Sequence, residues 1–384
     1  MSGVEIGATT AAPGGVLGRP GFSVSDLPVW SAAVRTMQAG GREARLLCIG
    51  DSVTQGFGGV GGGWTPNGRA GAWPERLAAM MSGRGLPASA ASVAGAGAAD
   101  GAGGGYSAYD PRVTMGAGWG VNALTGMGGK LFSGAASSSG GWSFQPDGQV
   151  DRFDLWAVTN TALGVMTVET DGVVRASVNT TKPASMEVAT VAFPETSGPV
   201  TVRWASGGAV FIAGGVAWRS DVRRARVINA GWGGAKVADW ITTDQPYRAY
   251  GSIPAAAPDL SVVCLTINDW NAGTAVATYK AGLGLLVDRC LTTGDVLLMT
   301  GCPSDPAQGK ASYATQGAIR DAVFEVAAAG TGDAHRRDGP VRRRVPRRID
   351  VRRRPSQCGG SGQDRRGGAG AGDDLRLSGL RARC

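Results

Sequence analysis

Uninterrupted apolar runs recur in two stretches of this chain, and short alternating runs fill the stretch between them. Ala44 to Ile49 holds four consecutive apolar residues, Leu46-Leu47-Cys48-Ile49, and stops at Gly50-Asp51-Ser52. A run with no polar interruption predicts a strand buried on both faces. Ala225 to Ala230, Leu260 to Thr266 and Asp295 to Thr300 repeat the pattern. Between and around them, helical spacing or helix punctuation marks Asp26 to Gln38, Trp73 to Met81, Ala235 to Ile241, Ala275 to Leu291 and Ser312 to Ala329. Pro28 and Pro74 stand in first turns, and Gly40 and Gly83 stand where helices should stop. Strands alternating with helices imply a parallel sheet with right-handed crossovers.

The middle of the chain follows another period. Residues 153–158, 164–169, 173–178, 186–191, 200–204 and 209–215 are short Val-, Thr- and Trp-rich runs punctuated by Gly, Pro, Asp-Gly and Asn. That spacing predicts an antiparallel β-sandwich. The expected fold is therefore three-layer α/β/α with a parallel sheet, interrupted by an all-β sandwich insertion. Its divisions are a flexible lead-in over 1–22, an α/β first part over 23–129, the β module over 130–222, an α/β second part over 223–330 and an Arg/Gly-rich tail over 331–384. Residues 88 to 117, dominated by Gly and Ala, read as loop.

Charge changes the picture only at the tail. The formal net charge is +8. Residues 335–384 carry 15 Arg against 5 Asp, a surplus of +10, so the rest of the chain stands at −2. The body offers no basic face, and nucleic acid is not expected as its partner. No secretory signal pattern opens the sequence, and no apolar segment approaches the roughly 18 residues of a membrane span. Cys48, Cys264 and Cys302 each fall in or beside an expected strand and read as small core residues. One histidine in the chain argues against a zinc or di-metal centre.

Three strand ends then line up on one edge of the expected sheet: Asp51-Ser52, Asn229 to Gly234, and Asn268-Asp269. A serine hydroxyl there could act as a nucleophile. A glycine N–H and an asparagine amide are suitable donors to a developing oxyanion. These blocks resemble those of the SGNH hydrolases, the GDSL-type esterases and lipases. The resemblance covers about 44–83 and 225–330. Gly50-Asp51-Ser52 is similar to the block carrying the family's nucleophile, which implies Ser52. Asn229-Ala230-Gly231-Trp232-Gly233-Gly234 resembles the block whose glycine N–H enters the oxyanion hole, which implies Gly234. Thr266-Ile267-Asn268-Asp269 is similar to the Gly-x-Asn-Asp block, with Thr in place of Gly, and implies Asn268 as the side-chain donor. The activity implied is hydrolysis of a carboxylic ester through an acyl-serine intermediate, with no metal and no organic cofactor, on a small ester or an acylated glycan. A glycan- or surface-binding protein with a vestigial hydrolase core is the alternative.

The fourth block departs from the family. There the general-base His follows an Asp by three residues, after a further strand. Here the one histidine is His335, in Gly332-Asp333-Ala334-His335, with Asp two residues before it. The tail beyond it lacks hydrophobic periodicity and is rich in Arg, Gly, Pro and Asp. A frameshift near 330–336 in a GC-rich gene, a basic tail for RNA or anionic surfaces, and a solvated extension are the three explanations. The coding DNA around residue 330 separates the first from the others. The insertion's tryptophans (Trp142, Trp156, Trp204, Trp218) read as core, with sugar stacking as the competing role.

Overall fold

The computed structural model describes residues 26–60, 63–99 and 105–332. The lead-in, His335 and the Arg-rich tail lie outside these residues. Each apolar run forms a strand: Arg45–Gly50, Ala225–Gly231, Leu260–Cys264 and Asp295–Leu298. With the short Ala88–Ser89 they make one parallel sheet. Its order runs from Asp295–Leu298 through Leu260–Cys264, Arg45–Gly50 and Ala225–Gly231 to Ala88–Ser89 at the far edge.

Period-two alternation divides the strand residues between two cores. Leu47, Ile49, Ile228, Ala230 and Val263 face one layer, which includes Trp240, Ile253, Leu283 and Val323. Those residues belong to Val237–Trp240, Ala249–Ala256, Val276–Leu291 and Tyr313–Gly332. Leu46, Cys48, Val227 and Val262 face the other layer, against Leu27 and Ala78 beside and within the helices Pro28–Gln38 and Trp73–Gly83. The result is a three-layer α/β/α arrangement. Burying both faces is why the strand runs carry no polar break.

The inserted β region consists of two antiparallel sheets. One orders 173–179, 164–170, 200–207, 142–144 and 113–115; the other orders 185–196, 150–159, 210–218, 129–134 and 120–126. Phe132, Trp142, Phe144, Phe153, Val168 and Val200 share one core between them. Trp142 and Trp156 are buried, as core residues should be. Antiparallel pairing starts well before residue 130. Ser92–Ala94 already pairs with Val210–Trp218, three residues after the parallel edge strand ends. The loop expected over 88–117 thus contains short strands and the helix Tyr106–Tyr109. These pieces are too short and too rich in Gly and Ala to show a period. Cys48 and Cys264 are buried, but Cys302 is exposed. It lies in the loop beyond Leu298, where the strand has already released the chain to solvent.

Candidate active site

Gly50 pairs with Gly231 on one side and with Cys264 on the other. Adjacent strands lie about 4.8 Å apart. The central strand therefore delivers Ser52 between the Asn229–Gly234 block and the Thr266–Asp269 block, all at the carboxyl edge of the sheet, where open α/β folds keep their sites.

Local geometry explains the Gly-Asp-Ser run. A Cβ on Gly50 would stand 1.9 Å from Thr54 Oγ1, so only glycine lets the chain turn this tightly. Asp51 caps the short helix Ser52–Gln55 by accepting from Val53 N at 2.9 Å. Ser52 is half-buried and begins that helix. Its Oγ and its N–H make no hydrogen bond among the described residues. Gly234 is exposed at φ +80°, and nothing lies within 4 Å of where its Cβ would be. Its N–H also finds no acceptor among the described residues.

Side-chain bonds lock the three blocks together. Asn268 Nδ2 donates to Ala235 O at 2.9 Å, beside Gly234, and one N–H of that amide is left to donate elsewhere. Asp269 Oδ2 accepts from Val237 N at 2.9 Å. Gln55, on the Ser52 helix, accepts from Gly233 N at 2.8 Å and Ala98 N at 3.3 Å and donates to Ala96 O at 2.7 Å. Gln55→Ala leaves those three backbone groups, two of them buried, without the side chain that satisfies them. At about 1 kcal/mol per bond it is expected to cost about 3 kcal/mol, read as a lower midpoint in urea unfolding.

Behind the edge lies a buried ionic network. Asn229 Oδ1 accepts from Gly231 N at 3.0 Å, and Asn229 Nδ2 donates to Glu75 Oε2 at 3.0 Å. Glu75 Oε1 is in ionic contact with Arg69 Nε at 2.9 Å, and Arg69 Nη2 donates to Ser92 O at 2.8 Å. Asp110 lies 3.4 Å from Arg69 Nε and pairs with Arg112 at 2.9 Å. Burial pushes the Glu75 carboxyl up against the pull of Arg69. Burial would raise Asp110 too, but the Arg112 hydrogen bond and the two guanidinium charges hold it below the usual carboxylate range. Burial pushes Asp51 up to about 6, reinforced by the Asp269 charge; its Oδ2 is buried with no hydrogen-bond partner.

Aromatic side chains border this edge. Phe57 is exposed and meets Trp64 edge-on at 5.1 Å; Trp64 also meets Tyr109 at 5.6 Å. A Cβ on Gly233 would touch Trp64, so the indole lies against the glycine turn. The structure thus brings together Ser52, Gly234 and Asn268, and His335 lies outside the described residues. Gln55, Glu75 and Arg69 escaped sequence reasoning. Nothing in a single sequence marks a polar residue as buried when its partners come from distant segments.

No protein-family model matches the chain, and no curated protein matches it. Among solved structures it is similar to a peptidoglycan O-acetylesterase at 15% identity, over 79% of this chain and 82% of that one, with a TM-score of 0.53. A family two carbohydrate esterase from Cellvibrio japonicus matches at 13% identity over 57% of this chain and 83% of its own, with a TM-score of 0.22. A family two carbohydrate esterase from Clostridium thermocellum, solved in complex with cellohexaose, matches at 12% identity over 56% and 84%, with a TM-score of 0.23. At these identities the likeness is one of fold. The parallel five-stranded sheet with its antiparallel β region is a fold this chain shares with the peptidoglycan O-acetylesterase.

Proposed function

We propose that the chain is a serine ester hydrolase that removes an acyl group from a carbohydrate. The observation that carries this reading is the register at the sheet edge, where Gly50 sits between Gly231 and Cys264. Ser52 Oγ attacks the ester carbonyl carbon and gives up its proton to a base. The carbonyl oxygen becomes an oxyanion, held by the N–H groups of Ser52 and Gly234 and by the free Asn268 amide hydrogen. Collapse expels the sugar alcohol, which takes a proton, and water then cleaves the acyl-serine. The Phe57–Trp64 rim offers an apolar face for a pyranose ring beside the nucleophile, and the β region supplies further glycan contacts.

A serine hydroxyl is a weak nucleophile without an adjacent base. The one histidine, His335, has Asp two residues before it and not three, and that departure favours the second reading, a glycan-binding protein with a vestigial hydrolase core. The deciding measurement is hydrolysis of p-nitrophenyl acetate and acetylated xylan. Slow turnover is expected, falling to background in Ser52→Ala, a loss of about 1000-fold if the starting rate is high enough to read it. Turnover indifferent to Ser52→Ala sinks the hydrolase assignment. Robust turnover lost in His335→Ala makes His335 the base. Glycan binding without turnover that survives Ser52→Ala establishes the second reading.

A further inference from the structure

The end of the parallel sheet opposite Ser52 holds a cavity of about 400 Å³. Arg45, the first residue of its strand, lines it together with Arg226 and Asp154. Trp156, Val216 and Ile228 form a buried apolar floor, and the exposed Val188 and Thr190 stand at the mouth. The volume lies at the lower end of the range for small-molecule pockets.

The two arginines differ in their engagement. Arg226 is bound on every side. It pairs with Glu43, donates from Nη1 to Asp154 Oδ2 at 2.6 Å, and stacks over the Trp218 ring at 4.0 Å. The other Asp154 oxygen accepts from Thr190 Oγ1 at 2.7 Å. The Arg45 guanidinium makes no hydrogen bond or ion pair among the described residues, although its side chain lies mostly within the protein.

We propose that this cavity binds a small monocarboxylate with an apolar body, its carboxylate paired with the Arg45 guanidinium. Arg45, Arg226 and Asp154, the ionisable groups lining the cavity, sum to one positive charge; Glu43, paired with Arg226 behind the wall, offsets it only when ionised, and burial raises its carboxyl to about 7. Both Asp154 oxygens are already engaged, by Arg226 and Thr190. Burial and the neighbouring Arg226 lower the Arg45 pKa against the opposing pull of Asp154, Glu43 and Asp259, and a carboxylate paired directly with the guanidinium would offset both lowering effects. The C-terminal end of the Ala249–Ala256 helix adds about half a negative charge at the rim, which leaves the balance positive while Glu43 is protonated. One unpaired guanidinium matches one carboxylate as a planar fork, whereas a dianionic phosphate would keep a charge uncompensated. The apolar floor takes the rest of the ligand.

The test is calorimetric titration of the full chain with hexanoate, 1-hexanol and hexylamine. Hexanoate is expected to bind at least about tenfold more tightly than either analogue, the increment of a charge-assisted hydrogen bond. Arg45→Met is expected to lose at least about tenfold in hexanoate affinity, and Arg45→Lys to keep part of it. Val188→Trp, which fills the mouth, should block binding while the circular dichroism spectrum stays unchanged. It replaces the arginine variants as the test if Arg45→Met fails to fold. No hexanoate binding to the wild type overturns the proposal. So does equal binding of hexanoate and hexanol, and so does hexanoate binding that survives both Arg45→Met and Val188→Trp, because the ligand then sits elsewhere.

Discussion

Arg69→Met is expected to lower the free energy of unfolding by about 3–5 kcal/mol, seen as a shift of the urea midpoint. Arg69 and its partner Asp110 are buried, and its partner Glu75 is largely so. Removing the cation strands the Glu75 carboxylate in the interior, and the carboxylate, not the missing attraction, makes up most of the cost. Asp110 is cushioned because Arg112 still pairs with it. Adding Glu75→Gln is therefore expected to recover a large part of the loss. The glutamine oxygen can still accept from Asn229 Nδ2, which holds the Gly231 N–H at the site edge. A loss below about 1 kcal/mol in the single variant would mean that water reaches the network. A double variant no better than the single would place the cost in lost packing of the Arg69 stem instead.

Asp51→Asn is expected to stabilise the protein by up to about 3 kcal/mol at pH 8 and to change nothing at pH 4 or below. Burial raises the Asp51 pKa from 3.8 to about 6. An acid whose folded pKa is raised holds its proton longer folded than unfolded. Stability is therefore fully retained below pH 4, falls as the pH rises from 4 to 6, and stays lowered above that. Two pKa units correspond to about 3 kcal/mol. Asparagine stays neutral throughout and caps a helix as well as aspartate does, so the Val53 N–H keeps its acceptor. Urea unfolding at pH 4 and pH 8 reads the difference. Equal effects at the two pH values would show that Asp51 ionises without penalty, and that its unpartnered oxygen is solvated.

Both experiments probe groups around Ser52 that differ in how they could be read. Asp51 is legible from the sequence, because it lies next to a strand end and a capping position is a local property. Arg69 and Glu75 are not. Arg69 sits in a loop-like stretch and Glu75 on a helix whose exposed face would suit either residue. They become an interior network only because Asp110, Arg112, Ser92 and Asn229 arrive from elsewhere in the chain. Gln55 is the same case at shorter range: three residues from Ser52, it acquires its role from Ala96, Ala98 and Gly233.

The apolar runs by themselves determined the four main parallel strands, while two of them end two residues before the predicted Thr266 and Thr300 and the flanking helix Ala249–Ala256 was not among the helices marked by the sequence pattern. A strand buried on both faces needs an uninterrupted run, and that requirement is local. The Gly-Asp-Ser turn was equally determined, since close packing at Gly50 excludes any side chain. Tertiary structure alone decided that the Ser52 strand lies between the other two, because strand order depends on pairing between segments some 180 and 210 residues away. It also decided that the antiparallel region begins at Ser92, where glycine- and alanine-rich pieces carry no period and hold their shape through their neighbours, and that Arg45 lines a cavity with no hydrogen bond or ion pair to its guanidinium among the described residues.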